Sequence, residues 1–456
     1  MKNKIIILIS IIVFASVKVK AEDALQVMPF STHAGVVEDE WETFSVEMVN
    51  SAAYTALQFD MYLPDGMTLI SDGPMELSAD RFPGYTRKGV FYPNHSYDCT
   101  LMNDGHYLIT IYNTDLEVIE GNEGELLIFY YKTNNDMAAG YYPITIKNTV
   151  LTVDSHNDCK PATSTSFVKI GEPEKFNSNI LSGDVPSFVV EEIPRTENYY
   201  DFRNIDKMNA EFVPENPNCL QYVKTGTEYA ESAIGNVIDG GVCKNLTIHD
   251  GYDFEVLSAF TANTVSYQRD VTANWGTICL PYTVESNENI QYYKFKEIDG
   301  STLIFTKTDG LKTGEPGVFL KSNSVNSLQF TSDAAIITSN ITDMDAVEGL
   351  KLVGTYSRQR IDVDENAPSY YIKDNAFCRG KEYFIIPAFR AYFKSETTNN
   401  VKIFNVVIKD ETTGIINTIG TLNSKTGDVY SINGVKVNTL PTKGIFIKDG
   451  KKYLNN

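Results

Sequence analysis

The first third of the chain alternates between hydrophobic and polar residues with a period of two, as β-strands with one buried face do. The pattern is clearest in residues 44–48 and in residues 57–63. The turn Pro64-Asp65-Gly66 follows the second of these segments. Further strands are predicted at 107–112, 126–131, 142–146 and 167–170. Short strands separated by Gly, Pro, Asn and Asp clusters predict an all-β sandwich over residues 22–171.

The rest of the chain divides where its composition changes. Residues 172–205 carry prolines among acidic, Asn and Ser clusters and are predicted to be a linker. Residues 206–260 predict a short β-rich, solenoid-like segment, and residues 261–410 predict a second β domain with a hairpin turn at Asp299-Gly300. Residues 411–456 predict two hairpins. The fold class is therefore all-β, with multidomain β-sandwiches and a small C-terminal β domain.

Three segments of the first domain carry a family resemblance. Residues 56–67 read ALQFDMYLPDGM, residues 124–129 read GELLIF, and residues 140–148 read GYYPITIKN. Together they resemble the cohesin-type and carbohydrate-binding-module β-sandwich. Cohesins bind dockerin modules and many relatives bind glycans, so the resemblance implies a glycan or a protein as partner. The chain has no D-x-D-G calcium loop and is not itself a dockerin carrier.

Two later regions resemble domains of exported proteins. Residues 274–282 and 386–393 resemble a β domain that is common in secreted surface proteins of Bacteroidetes. Residues 428–437 and 440–452 are similar to the short C-terminal β domain of exported Bacteroidetes proteins. In many members that domain is a type IX secretion and surface-attachment signal, and the alternative here is a domain that only caps the fold.

The N-terminus has the three parts of a secretory signal peptide. Lys2 and Lys4 precede a short apolar run, and Ala21 ends a small-residue cleavage site. We expect cleavage after Ala21 and a secreted or cell-surface location. No later stretch is long and apolar enough to span a bilayer as a helix.

The net charge of the chain limits the classes of partner it can bind, and its cysteine spacing indicates which disulfides could form. The net charge of −20 would repel a phosphate backbone, so nucleic acid is not an expected partner. The six cysteines contain no C-x-x-C motif. In an exported protein their spacing suggests disulfides between Cys99 and Cys159, Cys219 and Cys243, and Cys279 and Cys378, with buried free thiols as the alternative.

The chain lacks the usual signatures of catalysis. It has no G-x-S-x-G, P-loop, H-E-x-x-H or G-x-G-x-x-G motif, and its five histidines are far apart. Asp343/Asp345 and Asp362/Asp364/Glu365 could form a glycosidase pair, but solvated loop charge explains them better. We expect no cofactor. Calcium at Asp154, Asp158 or residues 362–365 is left open because no spacing is diagnostic.

The best candidate for binding is the aromatic, loop-rich segment 81–98. Sugar sites combine flat aromatic rings with polar groups that bond to hydroxyls. The candidate glycan-binding residues are Tyr85, Arg87, Tyr92, Asn94, Tyr97 and Asp98. In the alternative, Phe82, Phe91 and Tyr92 alternate into the core. Trp41 and Trp275 lie beside strand-like runs and are expected to be core residues.

Three functions follow from these observations. The favoured one is a non-catalytic surface protein whose β-sandwich binds a glycan or a protein. The second is a structural or adhesive protein that recognises another protein through sheet edges or loops. The third is a glycoside hydrolase with unrecognised carboxylates. The oligomeric state is left open.

Overall fold

The computed structural model describes residues 23–154, 157–271, 273–322, 327–409, 415–418, 429–437, 444–448 and 451–455. The predicted signal peptide 1–21, with its cleavage site at Ala21, lies outside these residues. The chain separates into two compact units. Unit 1 contains the described residues up to Glu174 and Ile180–Val189, and unit 2 contains Lys175–Asn179 and the described residues from Val190 onward.

Unit 1 is built from short strands, as the period-two pattern predicts. Its strands are β1 (Ala24–Val27), β2 (Phe30–Thr32), β3 (Thr43–Val49), β4 (Ala56–Tyr62), β5 (Met67–Leu69), β6 (Met75–Leu77), β7 (Gly84–Arg87), β8 (Val90–Pro93), β9 (Ser96–Leu101), β10 (Tyr107–Tyr112), β11 (Glu123–Thr133), β12 (Gly140–Asp154), β13 (Asn157–Cys159), β14 (Ser164–Ile170) and β15 (Gly183–Val185). All the strands predicted for residues 22–171 are present.

Two sheets of unit 1 enclose one apolar core. The first sheet has the order β1-β3-β11-β5, and the second contains β14-β12-β4-β10-β9. The inward residues of each strand are every second one, such as Phe44, Val46 and Met48 on β3 and Phe59 on β4. At a register shift between Glu125 and Leu127 of β11 the alternation breaks, and Leu126 and Leu127 are both buried.

The segment predicted as a linker is instead folded. Residues 172–205 include β15, the helix α1 (Ser187–Glu192) and β16 (Tyr199–Phe202). Val185, Val190 and Tyr200 are buried, so the apolar residues between the prolines form part of packed structure. The division between the two units nevertheless falls inside this segment.

Unit 2 is also made of strands. They are β16, β17 (Ile205–Met208), β18 (Leu220–Val223), β19 (Asn236–Asp239), β20 (Val242–His249), β21 (Phe260–Asp270), β22 (Trp275–Ile278), β23 (Val284–Glu285), β24 (Ile290–Asp299), β25 (Thr302–Thr308), β26 (Gly310–Leu311), β27 (Gly317–Lys321), β28 (Ser327–Ile337), β29 (Leu350–Thr355), β30 (Gln359–Asp362), β31 (Ser369–Lys373), β32 (Ala376–Arg379), β33 (Tyr383–Ile386), β34 (Arg390–Ser395), β35 (Ile403–Lys409), β36 (Ile415–Thr418), β37 (Val429–Ser431), β38 (Lys436–Val437), β39 (Gly444–Lys448) and β40 (Lys451–Asn455). The short helix α2 (Glu228–Ser232) follows β18. No helix in the described ranges is both long and apolar enough to cross a bilayer.

Unit 2 contains two large sheets. One is mixed, with the order β16-β18-β19-β20-β21-β28, and its β16, β18 and β19 run parallel. The other begins β22-β27-β24-β25-β35. The hairpin predicted at Asp299-Gly300 joins β24 and β25. Near the C-terminus, β37 pairs with β38 around Asn433-Gly434, and β39 pairs with β40, while the Asp449-Gly450 turn lies outside the described residues.

A buried arginine ties the strands and loops of unit 1 together. Arg81 is 3% exposed. Its guanidinium donates to the backbone carbonyls of Glu120 (2.5 Å), Gly124 (3.2 Å) and Met48 (3.3 Å), and to Oδ1 of Asn50 (2.7 Å). Burial lowers the pKa of Arg81. The guanidinium therefore bonds to four acceptors, and its bonds to Met48 and Asn50 are buried.

We predict that Arg81→Met destabilises unit 1 by about 2–3 kcal/mol, because it removes these four hydrogen bonds, two of which are buried. Pulse proteolysis in urea, which follows the resistant fragment of unit 1, measures the loss. Arg87→Met is the matched control, since Arg87 is exposed on β7, and it should leave the midpoint unchanged. Equal midpoints for the two variants would contradict this role of Arg81.

Candidate binding surface

The candidate segment 81–98 folds mainly as a β-hairpin of β7 and β8. Tyr85 pairs with Tyr92 and Arg87 with Val90, so these four side chains share one face of the hairpin. Lys88 and Gly89 form the turn, both with positive φ, as a type I′ turn requires. Thus three of the predicted site residues lie on one exposed face.

The other face of the hairpin is anchored to the sandwich. Phe91 alternates with Tyr92 along β8, is partly buried and packs against the core of unit 1. Phe82, just before the hairpin, is buried in that core. The alternative prediction, that these aromatic residues point into the core, is therefore right for Phe82 and Phe91. It is wrong for Tyr92, which is 43% exposed and points away from the core.

Tyr85 and Tyr92 form a stacked pair. Their ring centroids are 5.2 Å apart and their planes differ by 13°. Tyr85 is 60% exposed. The pair holds two rings in a fixed orientation, at a small cost in conformational entropy when a partner binds.

A set of hydrogen bonds joins the hairpin to the loop that follows β10. Asn94 donates to Oε2 of Glu117 (2.8 Å), and Asn113 donates to the Asn94 carbonyl (3.0 Å). His95 Nε2 lies 3.1 Å from the Glu117 carbonyl oxygen, and burial lowers the pKa of His95. Asn94, predicted to contact a ligand, is thus engaged within the protein.

The end of β10 and the loop after it display apolar side chains. Tyr112, Leu116 and Val118 are 48%, 62% and 41% exposed. Leu116 has a φ of +58°, a left-handed conformation that costs a non-glycine residue about 1 kcal/mol. We define the hairpin-loop surface as Tyr85, Val90, Tyr92, Tyr112, Leu116 and Val118.

Strand β9 separates the last two predicted site residues. Tyr97 and Asp98 are adjacent on it and therefore point to opposite faces of the sheet. Tyr97 is paired with Ile111 and Asp98 with Thr110. The six predicted residues do not converge on one site: Tyr85, Arg87 and Tyr92 share a face, and Asn94, Tyr97 and Asp98 lie elsewhere.

Three exposed residues, Tyr112, Leu116 and Val118, were not predicted from the sequence. A signal was present, because Leu116 and Val118 are large apolar residues within the polar stretch 113–120, where a loop is expected to be polar. The expectation for Trp41 was wrong, since it is 63% exposed and makes an edge contact with Tyr130. Trp275 is buried, as predicted.

The predicted disulfides are not formed, and all six cysteines are free. Cys99 on β9 and Cys159 on β13 stand at opposite ends of the strand order β9-β10-β4-β12-β13, roughly 19 Å apart at the usual strand spacing. Cys219 and Cys243 are separated by strand β19. A disulfide needs Cα atoms within about 7 Å.

The remaining thiols lie in unit 2. Cys279 is buried against Gly354, and the Sγ of Cys378 is 3.7 Å from the Lys373 carbonyl oxygen. Neither thiol is bonded to the other, so the predicted Cys279–Cys378 bridge is absent.

The acidic candidates have local partners. Asp362 pairs with Arg360 at 2.9 Å, and Asp364 accepts from the backbone of Asn366 at 2.8 Å. Asp158 accepts from Thr152. Within the described parts of the chain, no three His, Cys, Asp or Glu side chains are grouped to hold a metal ion.

Unit 2 has an open polar groove of about 420 Å³. It is lined by Thr247, Ile248, His249, Asp250, Ser266, Gln268, Asp270 and Gln329. Gln329 donates to Gln268, and Gln268 donates to Ser327. Burial would raise the pKa of Asp250, but Arg390 at 2.9 Å lowers it. Gln268, Gln329 and Asp250 are therefore already engaged within unit 2.

Solved structures that are similar to part of this chain include cohesin modules. No protein-family model matches the chain, and no curated protein matches it. CaCohA2 from Clostridium acetobutylicum is 18% identical, with a TM-score of 0.26 over 32% of this chain and 88% of that one. A non-cellulosomal cohesin from Archaeoglobus fulgidus is 11% identical, with a TM-score of 0.25 over 34% and 94%. The sixth cohesin of Acetivibrio cellulolyticus scaffoldin B, in complex with a Cel5 dockerin, is 11% identical, with a TM-score of 0.26 over 33% and 100%.

The structural neighbours are thus cohesin modules, the kind of β-sandwich that the sequence motifs resemble. The resemblance to exported Bacteroidetes proteins and the type IX role of the C-terminal domain stay predictions.

We predict that Leu116→Asn stabilises unit 1 by about 0.5–1 kcal/mol, because Asn tolerates the left-handed conformation better than Leu. Differential scanning calorimetry of the full chain measures the shift. Val118→Asn is the control, since φ at Val118 is not positive, and it should give no gain. A lower midpoint for Leu116→Asn would show that Leu116 is retained for packing.

Proposed function

We propose that unit 1 is a non-catalytic binding module that holds a protein partner on the hairpin-loop surface. One observation carries the proposal: all six large hydrophobic residues of the hairpin-loop surface are exposed. They are Tyr85, Val90, Tyr92, Tyr112, Leu116 and Val118. Concentrated exposed apolar side chains mark interaction sites in soluble proteins.

The chemistry of this surface favours a protein over a glycan. Val90, Leu116 and Val118 are aliphatic, and aliphatic side chains offer a sugar neither a ring face nor a hydrogen bond. Protein interfaces instead combine aromatic anchors with aliphatic contacts. The cohesin-like sequence motifs support the same kind of partner.

The surface is also ordered before binding. The bonds among Asn94, Asn113 and Glu117 fix the loop against the hairpin. Preorganised side chains lose less entropy on association, which raises affinity. Leu116 is held exposed despite its unfavourable backbone conformation, and such strain is typical of functional positions.

A glycan is the second candidate, and the Tyr85–Tyr92 pair favours it. Two near-parallel rings with Arg87 on the same hairpin face combine apolar and hydrogen-bonding groups. A glycan microarray tests this candidate with the wild type and the Tyr85→Ala/Tyr92→Ala variant. If the wild type binds a glycan and the variant does not, the partner on this surface is a glycan and not a protein.

We further propose that the chain is exported to the cell surface, on the basis of the signal peptide predicted at the N-terminus and the resemblance of residues 428–452 to the C-terminal domain of exported proteins. A surface location would expose unit 1 to partners outside the cell.

The binding proposal predicts site-specific crosslinking. A photoreactive phenylalanine analogue at position 112, in cells that make the protein, should crosslink to one protein partner. Position 252 is the matched control, because Tyr252 in unit 2 is 49% exposed against 48% for Tyr112. Adding Leu116→Asp should remove the crosslink at position 112. Equal crosslinking at both positions, or none at position 112, would contradict the proposal.

A further inference from the structure

Strand β9 forms an open edge of the second sheet in unit 1. Among the described residues it pairs with β10 only. At the other end of that sheet, β14 is covered by β2 and β15. One end of the sheet is therefore extended by further strands, and the other end leaves a strand with unused backbone groups.

The hydrogen-bond register shows which groups are unused. The Met102 amide donates to the His106 carbonyl at 2.8 Å, so Met102 and His106 form a hydrogen-bonded pair. Bonding direction alternates along an antiparallel strand. The N–H and C=O groups of Tyr97, Cys99 and Leu101 therefore point away from β10. No other described residue bonds to them.

Strand β9 also lacks most of the features that protect an edge. Natural edge strands carry Lys or Pro, or are bent by bulges. Residues 96–101 read SYDCTL, with no Lys and no Pro, and they pair with β10 without a register shift. Asp98 is the single charged residue. The free backbone groups of such an edge can form hydrogen bonds with a further strand.

The side chains of β9 sort by face. Tyr97, Cys99 and Leu101 lie on the core-facing side, paired with Ile111, Ile109 and Tyr107 of β10, and Tyr97 is 44% and Leu101 61% exposed. Ser96, Asp98 and Thr100 lie on the other side, and all three are exposed. The strand thus has one apolar and one polar row.

We propose that β9 pairs with β9 of a second copy of this chain, antiparallel and centred on Cys99. In this register Cys99 faces Cys99 of the second copy, and Tyr97 faces Leu101. Asp98 faces Thr100. Apolar groups meet apolar groups, polar groups meet polar groups, and the outward backbone groups form up to about six hydrogen bonds.

Neighbouring registers fit less well. Centring on Asp98 places two carboxylates directly opposite each other, which is destabilising. Centring on Thr100 leaves Tyr97 without a partner residue. Registers that shift by a single residue pair the apolar row of one copy with the polar row of the other. Of the registers centred on Asp98, Cys99 and Thr100, the one centred on Cys99 matches both the apolar and the polar row.

The pairing does not require a disulfide. Burial raises the pKa of Cys99 to about 12, so the thiol stays protonated at neutral pH. The dimer should therefore persist in a reducing agent, which separates strand pairing from covalent crosslinking.

Sedimentation velocity of residues 22–456, with reducing agent, tests the proposal through two double variants. Tyr97→Lys/Leu101→Lys places like charges opposite each other twice across the dimer, so the dissociation constant should rise roughly tenfold or more. Tyr97→Lys/Leu101→Glu places opposite charges there, and the dimer should be retained. Both positions are exposed, so both variants should fold, which circular dichroism checks.

The outcomes separate cleanly. A wild-type dimer that the first variant disrupts and the second retains supports the pairing. A monomeric wild type, a dimer that survives the first variant, or its loss in both variants would overturn it. A monomer that accepts an extended peptide would assign the edge to a different partner. The crosslink at position 112 tests the binding proposal separately, so either can fail alone.

Discussion

Phe44, Phe59 and Phe129 are buried between the two sheets of unit 1, and this packing sets the positions of the other parts. Each strand must present alternate residues to the core, which fixes its register, because a slip of one residue would expose the buried set. The pairing of Ile109 with Phe59 across β10 and β4 shows this alignment. Once the register of a strand is fixed, it also determines which residues lie at the ends of the strand and which lie on its outer face.

The binding surface arises where the core ends. Phe91 anchors the hairpin to the sandwich, which turns Tyr85 and Tyr92 toward solvent. Beyond the edge of the apolar core, hydrogen bonds hold the structure together. One of them runs from Asn113 in the loop to the Asn94 carbonyl at the base of the hairpin. A rigid sandwich thus supports an apolar surface that contributes nothing to its own core, and such a surface gains stability only from a partner.

The sequence predicted much of the fold because a period of two identifies strands and their buried faces. It predicted six strands of unit 1, which correspond to β3, β4, β10, β11, β12 and β14, and the hairpin at Asp299-Gly300, and these are present. It did not predict the folded segment 172–205, because prolines and polar residues there mask a few buried apolar ones. Periodicity also cannot tell which side chains lie at the edge of a core, so Trp41 and Trp275 have similar sequence surroundings but opposite exposure.

The site was less predictable than the fold. Sequence spacing cannot show which strands are neighbours. It therefore did not reveal that Cys99 and Cys159 lie at opposite ends of one strand order. Tyr97 and Asp98 are adjacent in sequence yet lie on opposite faces. Tyr112 and Leu116 join the hairpin surface only through tertiary hydrogen bonds, which no local pattern encodes.

The binding function proposed for unit 1 requires that the hairpin-loop surface is ordered in the free protein. Amide hydrogen exchange of the full chain tests this order at Asp115, Leu116 and Ile119, whose N–H groups donate to Asn113 Oδ1, the Asn113 carbonyl and the Tyr54 carbonyl. We predict slow exchange at these loop amides, which a disordered loop does not show. Exchange at the rate of an unfolded peptide would contradict this prediction, because it would mean that the apolar side chains have no fixed arrangement.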